Sequence, residues 1–497
     1  MPHLEKLAAS GMTFTQWYST FHVCSPSRAS MMTGRYSVRS GIGIAPGVRA
    51  LSSSIYPAQA VGGLPLNETT MAEALKEAGY ATAAIGKWHL GQREIFLPTN
   101  QGFDEYLGIP FSQDMGLSFW FLNNLQPVEP YQPVPLPLLD GTDVIEQPVA
   151  LSNLVHRYIE RATDFIKRSH ESDTPFFLYL PFNHVHAPNS CSPKFCGSSE
   201  QGAVGDAVQE MDWAIGRIMS YLEKLGLEND TLTFFTSDNG APLLQDGAGN
   251  GVLRDGKASM WEGGFKVPAL AHWPGMIKGN QVSHELTSTA DIYPTLMHFA
   301  GVPLPSDRVY DGIDLSDVLL GKEGAKGHEC IMFYHNAVAA NASGELYAVR
   351  CGDMKVYWAT ASTTSQPWAD GPQEPPLVFN LTADPGETTP LTAWTEEYGA
   401  TLGVLTAAKE AHLATITPVP DQNALGSLPT YTICGEPNSQ TVFARFPACT
   451  TTPQNWHPID VCNSQVCLEA NVQFAANCDK TMPALELARN LTAPASS

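Results

Sequence analysis

Thr70-Met71-Ala72-Glu73-Ala74-Leu75-Lys76-Glu77-Ala78-Gly79-Tyr80-Ala81-Thr82-Ala83-Ala84-Ile85-Gly86-Lys87-Trp88-His89 holds a helix, a stop, a strand and a polar cluster in one run. Thr70 and Glu73 have the spacing of a capping box, in which each side chain meets the other residue's backbone N–H. Leu75 continues the apolar face, and Gly79 offers the left-handed backbone that ends a helix. Tyr80 to Ile85 is short and apolar, which predicts a buried strand. Lys87 and His89 follow it and stand two apart, so an extended chain directs both side chains to one side.

The same plan recurs twice. Leu151, Leu154, Val155, Tyr158, Ile159, Ala162, Phe165 and Ile166 keep helical spacing, and Pro175 to Phe182 then reads as an aromatic-rich strand. Asn183-His184-Val185-His186 follows, with the two histidines on a shared face. A third helix runs from about Val204 to Leu225, turns at Gly226, and leads to a strand over Thr231–Thr236 and then Ser237-Asp238-Asn239-Gly240. Alternating helices and apolar strands predict an α/β fold with a mostly parallel sheet, whose ligands bind beyond the carboxyl ends of the strands. All three polar clusters fall at such ends, so they are expected to converge.

Further along, the prolines at 127, 130, 133, 135 and 137 lie in an aperiodic stretch between Asn123 and Pro148 that reads as an ordered surface loop bordering a pocket. After Gly327, short segments such as Ile331–Tyr334 and Lys355–Trp358 predict a small antiparallel sheet. The expected division is 1–325 for the α/β domain, 326–430 for the smaller domain and 431–497 for a cysteine-rich tail.

The chain has 497 residues, of which 43% are hydrophobic, enough to bury a large core. Fifty acidic against 28 basic residues give a formal charge of −22, which argues against nucleic acid or an anionic membrane as partner. Of ten cysteines, Cys434, Cys449, Cys462, Cys467 and Cys478 crowd the last stretch. Such density points to disulfides and an oxidising compartment, with a zinc site as the competing reading of the tail. Cys191 with Cys196 could close a local loop, and Cys330 with Cys351 could join neighbouring strands. Sequons at Asn67, Asn229, Asn341, Asn380 and Asn490 agree with the secretory route. The start, Met1-Pro2-His3, has no signal-peptide pattern, and no run is long enough for a membrane span.

Cys24-Ser25-Pro26-Ser27-Arg28, running on to Thr33-Gly34-Arg35, places one cysteine at the mouth of a short helix. Ser25 suits its cap, Pro26 its first turn and Gly34 its end, so unpaired N–H groups beside Cys24 favour an anion. A buried structural thiol is the alternative. This string, with Gly86-Lys87-Trp88-His89-Leu90-Gly91, resembles the signature motifs of the sulfatase family, and the resemblance runs from Pro2 to about Glu387. Within that family the motifs resemble those of arylsulfatase A and its relatives. An alkaline-phosphatase-like fold is implied, with Cys24 oxidised to formylglycine by a formylglycine-generating enzyme in the endoplasmic reticulum.

The resemblance implies a division of roles for a sulfate-ester substrate, whether a small molecule, a glycolipid or a glycan. Formylglycine hydrates to a gem-diol; one hydroxyl attacks sulfur and the other expels sulfate. Lys87 holds a sulfate oxygen, His89 orients the gem-diol, Ser112 hydrogen-bonds sulfate and His186 protonates the leaving oxygen. His184 is a supporting partner of His186. Lys257 bridges sulfate and the leaving group, while Arg28 steadies the formylglycine. Asp238 and Asn239, with the oxygen derived from Cys24, bind calcium, hard oxygens suiting Ca²⁺, or less well Mg²⁺, rather than zinc. Lysosomal or secreted residence follows from the same resemblance, and homo-oligomers remain open.

Similar sulfatases place a buried strand and two adjacent aspartates before the segment matching Pro2-His3-Leu4, and these are absent from residues 1–497. The implied cation then keeps fewer ligands, and the sheet lacks a central strand. Alternative readings are an N-acetylgalactosamine-6-sulfatase-like enzyme, a catalytically dead sulfatase homologue, and a phosphate-ester hydrolase, which would place Ser or Thr where this chain has Cys24.

Overall fold

Thr70 Oγ1 accepts from the Glu73 N–H at 3.1 Å and Glu73 Oε2 accepts from the Thr70 N–H at 2.7 Å, so the expected capping box opens the helix Met71–Glu77. Gly79 has φ 90° and turns the chain into the strand Ala81–Ile85. The structure is a computed structural model describing residues 1–43, 55–115, 136–243, 245–336, 345–426 and 433.

In chain order the strands are β1 (Met12–Phe14), β2 (Trp17–Tyr18), β3 (Ala81–Ile85), β4 (Glu105–Gly108), β5 (Leu138–Asp140), β6 (Asp143–Glu146), β7 (Phe176–Tyr179), β8 (Thr233–Thr236), β9 (Ala269–His272), β10 (Gln281–Ser283), β11 (Thr287–Ser288), β12 (Cys330–Asn336), β13 (Glu345–Cys351), β14 (Met354–Thr360) and β15 (Gly371–Asn380). The helices that frame the site are α1 (Pro2–Ala9), α2 (Cys24–Thr33), α3 (Met71–Glu77), α4 (Leu151–Glu171) and α5 (Gly202–Leu225).

Strand β3 lies between β4 and β7 and is parallel to both, as the helix–strand alternation predicts. The antiparallel hairpin β5–β6 extends that sheet to the order β6-β5-β4-β3-β7. Two corrections follow. Residues 138–146 are not loop: Asp140 pairs with Asp143 across the two-residue turn Gly141-Thr142, whose first position holds a glycine with φ 62°, as a Gly-X hairpin turn requires. The preceding proline-rich residues 123–135 lie outside the described residues. Strand β8 does not join β3; it pairs antiparallel with β9 in a second sheet of order β10-β1-β9-β8. Both β7 and β8 are edge strands, and every residue in them is only half-buried despite the sequences Phe-Phe-Leu-Tyr and Thr-Phe-Phe-Thr.

The predicted stripe of α4 is buried at Leu154, Val155, Tyr158, Ile159, Ala162, Phe165 and Ile166, in one core with Ile85, Leu107 and Ile109. Helix α5 starts two residues before the predicted Val204 and ends on Gly226 at φ 74°. Its Asp212 carboxylate accepts the N–H groups of His3 and Leu4 at 3.2 and 2.8 Å. An acidic side chain from another helix thus serves the start of α1, which has no side-chain cap of its own.

The sheet β12-β13-β14-β15 is antiparallel throughout. Side chains alternate as a sheet between two layers requires: Met332 and Tyr334 join Tyr398 and Leu405 of the helix Glu396–Leu413, while Ile331 and Phe333 join Tyr18, Trp261 and Phe265. Cys330 and Cys351 face each other across β12 and β13 and are bonded, as are Cys191 and Cys196. The five tail cysteines, Asn341 and Asn490 lie outside the described residues. Among the described residues, no helix is long and apolar enough to cross a membrane.

Where the chain enters this sheet, His328 Nε2 meets the fully buried Asp291 carboxylate at 2.7 Å, and Asp291 also accepts the N–H groups of Ser288 and Ile313. Burial alone lowers the His328 imidazole, but the Asp291 charge and hydrogen bond raise it above the usual 6.5. A histidine raised on folding stabilises fully below its unfolded pKa and loses that contribution as pH rises through the folded value. His328→Gln is expected to cost about 1.5–3 kcal/mol at pH 5, with a smaller cost at pH 9, read from denaturant midpoints at the two pH values.

Candidate active site

Val23 has extended backbone, φ −144° and ψ 164°, which makes it the cap of α2 and Cys24 the first helical residue. Ser25 is therefore not the cap. The helix starts two residues earlier than predicted, and the Ser25 hydroxyl instead accepts the Tyr56 N–H at 3.3 Å. Gly34 closes the helix as expected, with φ 68° and its N–H on the Ser30 carbonyl at 2.8 Å. Cys24 is unpaired and buried. Its sulfur stands where an oxidised side chain would hold oxygen.

Two lysines from distant parts of the chain reach that sulfur. Lys87 Nζ, delivered from the end of β3, and Lys257 Nζ each lie 3.4 Å from Cys24 Sγ. Lys87 also donates to Ser112 Oγ at 3.0 Å. Arg28, one helical turn after Cys24, donates to Asp238 Oδ2 at 2.9 Å, to the Lys87 carbonyl at 2.8 Å and to the Tyr179 hydroxyl at 3.2 Å. The carboxyl ends of β3, β7 and β8 thus meet at α2.

This crowding sets the electrostatics. Burial pushes the Cys24 thiol up, yet Lys257 and then Lys87, with His186 and His89 beside them, hold it well below the ordinary thiol range. Lys87 is lowered, chiefly by burial, against the attraction of Cys24. Lys257 is raised, because Cys24, Asp238 and Asp114 outweigh the burial that lowers it. His89 is pulled down to about 4 by burial and then by Lys87. Its backbone has φ 65°, not the extended form assumed from the sequence, and its Nε2 lies 3.1 Å from the Tyr56 carbonyl. A carbonyl only accepts, so Nε2 carries the proton and the buried, unpartnered Nδ1 keeps its lone pair.

His186 Nδ1 lies 2.5 Å from the Ala187 carbonyl and its Nε2 lies 2.7 Å from Lys257 Nζ. The same reasoning puts the proton on Nδ1 and makes Nε2 the acceptor of the lysine ammonium. His184 does not share this face. Residues 183–186 turn instead of extending, and His184 Nε2 is buried 3.0 Å from the Ala207 carbonyl on α5. Burial holds His184 down to about 4.

Asp238 and Asn239 follow β8 as predicted. Asn239 Oδ1 is buried and without a partner, the kind of atom a hard cation takes, whereas Asp238 is already shared with Arg28. Calcium prefers roughly six to eight oxygens. Among the described residues no group of three or more His, Cys, Asp or Glu converges. The pair fits as part of a cation site.

Three contributors escaped the sequence reading. Tyr179 ends β7 and meets Arg28. Asp114 Oδ1 lies 4.0 Å from His186 Nδ1, buried and unbonded. Gln113 Nε2 donates to the carbonyls of His186 and Pro188 at 2.7 and 2.5 Å, pinning the histidine loop. Gln113 and Asp114 stand beside Ser112 in sequence, and that adjacency was the available signal.

A family model described as Sulfatase matches residues 1–302, and a second, the C-terminal region of aryl-sulfatase, matches 326–451. Arylsulfatase A of Homo sapiens is 39% identical over 465 residues, covering 88% of each chain. Arylsulfatase G of Rattus norvegicus is 38% identical over 427 residues, covering 80% of this chain and 78% of its own. The solved PsFucS1 sulfatase from Pseudoalteromonas sp. superposes with a TM-score of 0.72 at 29% identity, over 83% of this chain and 84% of that one.

The thiolate absorbance of Cys24, taken as the difference from the Cys24→Ser variant, is expected to appear below the pH of an ordinary thiol. Lys257→Ala removes the largest attraction and is expected to move that titration upward.

Proposed function

The chain belongs to the sulfatase family and is a sulfuric ester hydrolase, and on that premise we propose that Cys24, as formylglycine, supplies the nucleophile while Lys87, His89, Ser112, His186 and Lys257 handle the sulfate and the leaving oxygen. The observation that carries this reading is the pair of ammonium groups, each 3.4 Å from the Cys24 sulfur. When present, the formylglycine gem-diol supplies a hydroxyl that attacks sulfur and a second that releases sulfate.

The chain's own residues do the rest. Lys87 and Ser112 bind sulfate oxygens, with Lys87 placing positive charge where the sulfuryl group gains negative charge. His89 Nδ1, with its free lone pair, accepts a proton from the attacking hydroxyl. Lys257 and His186 form the donor pair for the departing alcohol. A proton leaving the Lys257 ammonium passes through His186 Nε2 to the leaving oxygen, and the Nδ1–H held by the Ala187 carbonyl keeps the ring aimed. Arg28 fixes Asp238 and the Lys87 backbone.

Family members are metal-binding. We assign Asp238, Asn239 and the oxygen at residue 24 to a calcium ion, whose charge would add to that of the lysines against the sulfate. Residues 1–325 form the catalytic domain in this reading, with 326–430 the smaller domain and 431–497 the cysteine-rich tail. Aryl, glycolipid or carbohydrate sulfate esters are the substrates. Maturation by a formylglycine-generating enzyme and residence in the lysosome or outside the cell complete the reading.

Formylglycine is expected at Cys24 in the tryptic peptide Leu7–Arg28 of protein from its native source, read by mass; an unmodified thiol there refutes the nucleophile. Cys24→Ala should abolish hydrolysis of an aryl sulfate, and His186→Ala should lower kcat by roughly 10²–10⁴. Parallel assays on a sulfated glycolipid and on N-acetylgalactosamine 6-sulfate decide the substrate class.

A further inference from the structure

Lysine carries its charge on a flexible four-carbon stem, so holding Lys257 Nζ 3.4 Å from Cys24 and 2.7 Å from His186 Nε2 requires a fixed backbone beneath it. That backbone is strained. Asp255 and Ala258 have φ 54° and 74°, left-handed conformations that non-glycine residues keep only where their surroundings enforce them. Gly256 and Gly263 have no room to give, since a Cβ on either would come within 2.1 Å of the Ala241 carbonyl or 2.0 Å of the Asp255 carbonyl.

On one side the turn is held by neighbours of the nucleophile. The Ala258 N–H donates to the His22 carbonyl at 2.9 Å, and the Lys257 N–H donates to the Ala241 carbonyl at 3.0 Å. On the other side the hold comes from residues after β14. The buried Asp255 carboxylate accepts the Thr363 and Thr364 N–H groups on Oδ2 at 2.9 and 3.3 Å. Its Oδ1 takes the Thr363 hydroxyl and the Gly256 N–H, the latter at 2.8 Å. Arg254 reinforces the tie, reaching Gln366 at 2.6 Å and the Gly386 carbonyl at 3.2 Å, with its guanidinium over Trp261 and Trp368. An aspartate serving only its own turn needs the Gly256 N–H alone; this one spends most of its acceptor capacity on a segment more than a hundred residues away.

We infer that Asp255 is a positioning residue for Lys257, tying the turn that presents the lysine to the Thr363–Thr364 segment of the C-terminal part of the chain. The inference rests on the proposed role of Lys257 and extends it to the groups that aim it. The Thr363 hydroxyl is the second half of the tie.

The test is a double-mutant cycle on the full chain together with hydrogen exchange. Asp255→Ala is expected to lower kcat at least tenfold with little change in KM, and to lose more on a sugar sulfate than on an aryl sulfate, whose leaving group needs less help. In the Lys257→Ala background the same change should cost no more than twofold, because its effect runs through the lysine. A further loss above twofold in that background, or none in the parent, overturns the inference. Thr363→Val, a milder change, should show the same pattern at smaller size and covers failure of Asp255→Ala to fold. Amide exchange over residues 254–263 should quicken in both variants, and unchanged exchange overturns the tie without reference to activity. If Lys257→Ala is itself fully active, the role given to Lys257 fails, while exchange still judges whether Asp255 holds the turn.

Discussion

Concentrating positive charge inside a protein of net charge −22 is the constraint on which this structure turns. Arg28 and Lys87 are buried with the half-buried Lys257 close by, where like charges repel more strongly than in water and each ion loses hydration. Each is therefore given an opposing group: Asp238 for Arg28, the side chain of residue 24 between the two lysines, and Asp114 near Lys257. A sulfate held between the lysines, as proposed, would complete that balance. The fold's task is to bring five chain segments, far apart in sequence, to one helix mouth. Edge and central strands, turns and caps all serve that delivery.

Much of this was legible in the sequence because it was local. The Thr70–Glu73 box, the α4 stripe and the glycines at 34 and 226 act within a few residues, so spacing alone predicts them. The convergence of Lys87, His186 and Asp238 followed from a rule about strand ends that holds whichever sheet a strand joins. The sheet of β8 was not legible, since pairing with β9 is a contact between distant segments that leaves no periodic trace. Ser25 was misread because serine caps well in general, yet the extended backbone of Val23 already ended the preceding segment. His184 was misplaced because period-two reasoning needs an extended chain, and residues 183–186 turn. Tyr179, Asp114 and Asp255 matter through partners remote in sequence, and no single-residue property marks them.

The interface between the α/β part and the antiparallel sheet uses buried charge in a second way. Lys355 lies 2.7 Å from Glu262 and 3.6 Å from Glu387, with Arg350 near Glu262. Glu262 is held low by Lys355 and Arg350 despite its burial, whereas burial pushes Glu387 up to about 7. Such a network contributes little net stability over an apolar packing of the same shape, but loss of one member strands the rest. The docking that pairs Lys355 and Arg350 with these glutamates is also the one that presents Thr363 to Asp255.

The depth of Cys24 sets an order of events. With the side chain 2% exposed and its neighbours on α2 equally enclosed, no protein-sized catalyst can close around this thiol once the helix has docked. On the proposed maturation, oxidation of residue 24 would therefore have to come before docking, while Cys24 to Arg28 is still an accessible peptide. A chain that folded first would be sealed with its sulfur in place, and whatever slowed the docking of α2 would lengthen the time open to that proposed step.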